Sequence, residues 1–245
     1  MLLVKRGLAE SRAKASAMVM AGLVFSGERR LEKPGQSVNL DIELEIRAAP
    51  HPWVSRGGVK LAHGLTHFEL SSEGKICLDV GASTGGFTDV LLDGGAALVY
   101  AVDVGRGQLA WRLRQDVRVV ALEQTNARTI TSDDVPEPLD LIVCDASFIG
   151  LETLLPAPLA LSAERATLVA LIKPQFEVGR GKVGKGGVVS DPALHGAVCD
   201  RICGWLENEG WAVIGVTESP IHGASGNREF LVAAHRSSGR RHEGR

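Results

Sequence analysis

Three features of the 245-residue sequence predict an α/β fold with a mainly parallel sheet and helices on both faces. From Lys75 onward, short apolar runs alternate with segments of helical pattern. A glycine-rich turn joins the first of those runs to the helix after it. The length, with 44% apolar and 23% charged residues, suits one catalytic domain plus a small appendage and opposes disorder or coiled coil.

Residues 1–48 read as a separate small α+β module. A helix is expected over 8–23, where Ser11 is placed to cap it, Ala15, Met18, Val19 and Leu23 share one side, and Gly22 ends it. Val24 and Phe25 read as a short strand before the turn at Ser26-Gly27. Lys33-Pro34-Gly35 reads as another turn, with strand-like alternation over 38–40 and 42–46. Residues 49–60 read as a linker, because Pro50 and Pro52 oppose regular structure. Residues 61–235 form the main domain. Its strands are expected over 76–80, 97–102, 117–122, 139–144, 167–172, 211–217 and 230–234. Its helices are expected over 85–94, 107–115, 151–161 and 192–209, the third kinked by Pro156 and Pro158. Residues 236–245 read as a basic, flexible tail.

Composition narrows the function classes. No apolar stretch approaches the ~20 residues of a membrane-spanning helix. Arg6, Glu10, Arg12 and Lys14 break up any signal-peptide core. Cys77, Cys144, Cys199 and Cys203 form no CxxC pair and suit reduced thiols, so a cytoplasmic protein without membrane partners is expected. No metal ligands are assigned, and nothing indicates an oligomeric state. The net charge of −2 hides an asymmetry: residues 1–60 carry 10 Lys and Arg against 6 Asp and Glu, and the last ten carry 4 against 1. Basic extremities around an acidic body suit a polyanionic partner.

The turn Gly81-Ala82-Ser83-Thr84-Gly85-Gly86 is the sharpest local signal. Its small residues let backbone approach a ligand closely. Ser83 stands where a dinucleotide fingerprint needs its middle glycine, and a Walker A loop would need a lysine that is absent. A nucleoside-type ligand without a phosphate, such as S-adenosylmethionine, is the remaining reading. Asp103, ending the second strand, is placed for a ribose diol. Asp79 either serves the methionine moiety or satisfies backbone donors in the turn. Beyond the turn, Asp145 and Lys173 follow apolar runs, Glu229 precedes one, and Lys60 lies upstream. Charges beside apolar strands need partners, so these four are expected either to pair structurally or to form a cluster that activates a poor nucleophile.

The blocks LDVGASTGGFTD, AVDVGRGQLAW, CDASFI, LIKPQFEVGR, KGGVVSDP and GNREFL together resemble the TlyA family, historically called hemolysins. These are ribosomal RNA 2'-O-methyltransferases with an FtsJ-like catalytic domain. The front segment GLAESRAKASAMVMAGLVFSG resembles an S4 RNA-binding domain, and SRGGVKL resembles the family's interdomain segment. Against the family's usual start the chain is short at the front, which implies either a truncated first S4 helix or a misassigned start codon. The resemblance implies a Rossmann-like S-adenosylmethionine-dependent sheet and a catalytic tetrad at Lys60, Asp145, Lys173 and Glu229. The cofactor set expected is Asp79, Gly81, Ala82, Ser83, Gly85, Gly86, Phe87, Thr88, Asp103, Val104, Asn126 and Asp145. The acceptor implied is a cytidine 2'-hydroxyl of 23S or 16S rRNA, in ribosomal subunits or free. Lys173 is expected to contact that oxygen, as a neutral base or as a protonated stabiliser of developing alkoxide charge. For RNA phosphates the expected residues are Arg6, Arg12, Lys14, Arg56 and, in a glycine-rich loop, Arg180, Lys182 and Lys185. Trp53 is expected to stack on a base or to pack between domains. Two other classes stand beside this one: a membrane-lytic protein, and an RNA-binding protein with a vestigial cofactor site.

Overall fold

The computed structural model describes residues 2–20, 22–31, 33, 35–46, 51–223 and 226–236. The chain divides into two compact units, Met1–Pro52 and Trp53–Arg245. The first contains helices α1 (Leu2–Lys5) and α2 (Arg12–Met20) and strands β1 (Val24–Ser26), β2 (Arg29–Arg30) and β3 (Glu45–Ile46), with β1 central in a small antiparallel sheet. Leu3, Ala15, Val19, Val24 and Leu31 form its core. The helix expected over 8–23 begins only at Arg12. Ser11 caps it, its Oγ accepting from the Lys14 amide at 3.2 Å. The strand expected over 38–40 is irregular and turns at Leu40-Asp41.

The second unit opens with α3 (Gly57–His67), whose first four residues fall in the stretch read as linker. Gly58, Leu61 and Leu65 are buried along one side of it, a helical spacing that the glycines at its start obscure. Then follow β4 (Ile76–Val80), α4 (Gly86–Asp93), β5 (Leu98–Asp103), α5 (Trp111–Arg114), β6 (Val119–Glu123) and β7 (Leu139–Cys144). After them come α6 (Leu151–Leu154), α7 (Pro156–Ala160), β8 (Ser162–Ile172), α8 (Pro174–Glu177), α9 (Pro192–Asn208), β9 (Trp211–Glu218) and β10 (Phe230–Arg236). Residues 151–161 break before Pro156, as its missing N–H demands. Strand β8 begins five residues before the expected run, because exposed Glu164 and Arg165 interrupt its apolar pattern. Arg236, read as tail, ends β10, with Nη1 donating to the Ser162 carbonyl and hydroxyl at 2.6 Å. The remainder of that tail lies outside the described residues.

The seven strands run in the order β6-β5-β4-β7-β8-β10-β9. The first five are parallel, and β10 is antiparallel to both of its neighbours. Side chains alternate between two apolar layers. Leu78, Val80, Ile142, Cys144, Leu168 and Ile172 face one layer; Cys77, Leu141, Val143, Val169 and Leu171 face the other. Burial on both faces is what near-continuous apolar strands require. The strand order reverses between β4 and β7, and a crevice opens there beyond their carboxyl ends.

Helices α3 and α4 meet through glycines. A Cβ on Gly86 would lie 2.3 Å from Ser55 Oγ and 2.9 Å from the Gly58 amide, and one on Gly58 would lie 2.3 Å from Trp53 Cγ. Trp53 therefore packs on α3 within its own unit. Gly86→Ala is expected to force the two helix starts apart and to cost about 1–3 kcal/mol. Urea unfolding measures this; a loss within error of zero would contradict the close approach.

Candidate active site

Four strand-end segments and one helix surround a cavity of about 580 Å³. Strand β4 feeds the glycine-rich turn, β7 delivers Asp145, β8 delivers Lys173, and β10 starts just after Glu229. Helix α3 adds Lys60 from the side. All four charged side chains line this cavity. Lys60 Nζ donates to Glu229 Oε2 at 2.6 Å and lies 3.9 Å from Asp145 Oδ2. Lys173 Nζ lies 2.6 Å from Asp145 Oδ1 and donates to the Asp145 carbonyl at 3.0 Å and to Ser147 Oγ at 2.9 Å. Lys60, Lys173 and Glu229 are at most 7% exposed. The result is an alternating chain, Glu229–Lys60–Asp145–Lys173, in which each cation touches a carboxylate and the formal charges cancel.

The turn is shaped by its protein neighbours. Gly81 (φ +83°) sits where a Cβ would be 2.9 Å from Ala146 Cα. Gly85 (φ +94°) sits where one would be 2.3 Å from Leu113 Cδ1. These glycines are needed for packing under the turn as much as for room above it. Of the expected cofactor residues, Gly81, Ala82, Ser83, Gly86, Phe87 and Asp145 line the cavity, whereas Asp79, Gly85, Thr88, Asp103, Val104 and Asn126 do not.

Asp79 lies fully buried beneath the turn. Its Oδ2 accepts from the Thr88 amide at 2.8 Å and the Thr88 hydroxyl at 2.7 Å, which fixes the first turn of α4. Its Oδ1 is buried without a hydrogen-bond partner. Burial pushes this carboxyl from 3.8 up to about 7 against the pull of Thr88, and the negative charges of Asp145 and Asp103 add to the rise. Asp103 holds the Ser83 amide at 2.8 Å with one oxygen and the Gly105 amide at 2.7 Å with the other. It therefore fixes the turn that it borders, with oxygen lone pairs left over for a diol. Val104 is 73% exposed, and Asn126 caps a 3-10 turn through the Arg128 amide.

Several lining residues carried no sequence signal of their own. Ser55, Ser147, Phe148, Gln175, Phe176 and Asn227 all border the cavity. Phe148 is 90% exposed and left-handed (φ +69°), and its ring lies 5.0 Å from that of Phe176. A bulky side chain in that conformation is a local signal, but one that only coordinates reveal. Among the expected RNA contacts, Arg56 borders the cavity, and Arg12, Lys182 and Lys185 are exposed. Lys14 pairs with Glu10 at 3.0 Å. Arg6 is exposed, and its guanidinium also donates to the Leu40 and Ile42 carbonyls and so ties its own module together. The Arg180 side chain lies outside the described residues.

The cavity bordered by the glycine-rich turn, with the Asp103 carboxylate beside that turn, fits a nucleoside with a ribose diol. Comparison with known proteins agrees. The sequence profile of the FtsJ-like methyltransferases matches residues 53–236. The chain is 48% identical to the 16S/23S rRNA (cytidine-2'-O)-methyltransferase TlyA of Mycobacterium tuberculosis, over 94% of this chain and 86% of that one. It is 40% identical to Hemolysin A of Brachyspira hyodysenteriae, over 92% and 94%. A hemolysin-named structure from Streptococcus thermophilus superposes with a TM-score of 0.78 at 43% identity, over 96% and 86%.

The buried acid below the turn gives a signed expectation. An acid that binds its proton more tightly folded than unfolded stabilises the fold at low pH. That contribution is complete below 3.8 and is lost as the pH rises through about 7. Asp79→Asn should flatten the dependence of unfolding free energy on pH from about pH 4 to about pH 7. Denaturant unfolding across that range tests it, and an unchanged slope would remove Asp79 as its source.

Proposed function

This chain belongs to the FtsJ-like methyltransferase family, and on that premise we propose that it methylates a ribose 2'-hydroxyl of ribosomal RNA, at a cytidine of 23S or 16S rRNA. The observation that carries the reading is the convergence of Lys60, Asp145, Lys173 and Glu229 on one cavity beside the glycine-rich turn. The cofactor is S-adenosylmethionine, which supplies an electrophilic methyl group on a sulfonium. Gly81, Ala82, Ser83, Gly86 and Phe87 would line its site, Asp103 would take the ribose diol, and Asp79 would brace the turn from below through Thr88.

Lys173 acts on the acceptor oxygen. Its Nζ faces three acceptors: the Asp145 carboxylate, the Asp145 carbonyl and Ser147 Oγ. These three neighbours fix where the nitrogen sits for either role expected of it, neutral base or protonated stabiliser. As an ammonium it would exchange its Ser147 contact for the acceptor hydroxyl and stabilise the negative charge that grows on oxygen while the proton leaves to the Asp145 carboxylate. As a neutral amine it would take that proton itself. Lys60, held by Glu229, keeps Asp145 facing Lys173 and offsets its charge. Exposed Phe148 beside Phe176 offers the acceptor base an aromatic surface at the rim. Arg56, Lys182 and Lys185 would meet phosphates, and the N-terminal unit, S4-like in sequence, would hold more of the RNA through Arg12. The substrate is presented free or within ribosomal subunits, in the cytoplasm. No described helix is long and apolar enough to cross a membrane.

Incubation with labelled S-adenosylmethionine and intact ribosomes, separated subunits or free rRNA, followed by mapping of the labelled nucleotide, tests the assignment. Label on a ribose 2'-oxygen is expected, and its absence from all three substrates refutes it. Lys173→Ala should lower turnover by ~100-fold or more while cofactor affinity, measured calorimetrically, stays within about threefold. Near-normal turnover would remove Lys173 from the reaction.

A further inference from the structure

The segments that follow β7 and β8 carry Asp145 and Lys173, and a second polar tie joins them away from the reacting groups. Glu177, the last residue of α8, has a side chain only 3% exposed. Its Oε1 accepts from the Leu151 amide, the first of α6, at 2.9 Å. Its Oε2 pairs with Arg201 Nη2 of α9 at 2.8 Å, and Arg201 also pairs with Glu152. A Cβ on Gly150 would lie 3.2 Å from Glu177 Oε2, so the chain before α6 passes directly over this carboxylate.

Two ties thus bracket the loop between β7 and α6. Lys173 holds its near end at Asp145 and Ser147, and Glu177 holds its far end at Leu151. Between them lies Phe148, in a left-handed conformation that a phenylalanine adopts only when its surroundings impose it. We propose that Glu177 is a positioning residue for the acceptor nucleotide: it fixes the pose of Phe148, and with it the aromatic surface at the cavity rim. This rests on the methyl-transfer reading above. Among the described residues, the polar partners of the Glu177 side chain are Leu151 and Arg201, away from the cofactor turn, Lys60 and Glu229, so its loss should act on the RNA side.

The test compares wild type, Glu177→Ala and Glu177→Gln. Each is assayed for methyl transfer to bacterial ribosomal subunits, filter retention of isolated 23S and 16S rRNA, calorimetric binding of S-adenosylmethionine, and thermal unfolding. Loss of a charge-assisted hydrogen bond should raise the KM and the dissociation constant for RNA by about tenfold in Glu177→Ala, with cofactor affinity within about twofold. Glutamine keeps an acceptor for the Leu151 amide at nearly the same size and should restore most of the RNA affinity. Arg201→Gln leaves Glu177 on Leu151 and should give a smaller loss, about threefold, which keeps the test open if Glu177→Ala fails to fold. Unchanged RNA terms in these variants would overturn the proposal. So would a parallel loss of RNA and cofactor binding with lowered melting temperature. A wild type that binds RNA but transfers no methyl would refute the enzymatic reading instead, and the retention assay would still decide the role of Glu177.

Discussion

The alternating charge chain Glu229–Lys60–Asp145–Lys173 is the constraint from which the rest of the second unit follows. Three of its members are almost wholly shielded from water. A single charge at such depth would cost several kcal/mol, whereas a neutral alternating set replaces lost hydration with short contacts. Each member comes from a different part of the fold, so the site demands that α3, β7, β8 and the start of β10 end at one point. Parallel strands bring Asp145 and Lys173 there at their carboxyl ends. The antiparallel β10 must run the opposite way so that its first residues, not its last, arrive at the same edge.

Close helix packing supplies the fourth member. Lys60 reaches Glu229 because α3 lies against α4 with no side chains between their first turns, which is the use of Gly57, Gly58 and Gly86. The same contact makes the turn that borders the cavity and the helix that carries Lys60 one rigid piece. Asp89 reinforces it, accepting from the Val54 amide at 2.7 Å and pairing with Arg112. Around the turn, carboxylates act mainly as clamps on backbone amides. Glu123 takes Gly107, Gln108 and Leu109 together with Arg114, which holds its carboxyl down at about 2.

Much of this architecture is legible in the sequence because apolar runs of strand length, separated by glycine turns, leave few other folds. The seven strands and their alternation with helices are readable in this way, and the break at Pro156 follows from one missing donor. Helix α3 is not, since Ser55-Arg56-Gly57-Gly58 resembles a linker until one sees that its glycines face Trp53 and Gly86. The gathering of Lys60 and Glu229 spans 169 residues of sequence, and no local pattern encodes such a separation; only likeness to a family suggests it. Chemistry was harder to assign than position. Arg6 has the look of a phosphate ligand, and its sequence gives no hint that two of its N–H groups also hold the Leu40 and Ile42 carbonyls. The glycines of the turn suggest space for a ligand, while Leu113 and Ala146 fill the space beneath two of them.

The closing hairpin bears on how the protein is made. Glu229 stands just before the final strand, and Lys60 in the first helix of its unit has that residue as its nearest counter-ion. While the chain emerges from the ribosome, α3 and the parallel strands are complete long before the partner of Lys60 exists. Until the hairpin docks, that lysine has only Asp145, at 3.9 Å, and lacks its short contact to Glu229. Competence therefore arrives in a single late step, and a nascent chain stalled before residue 229 would carry the turn and both strand-end groups without a closed site.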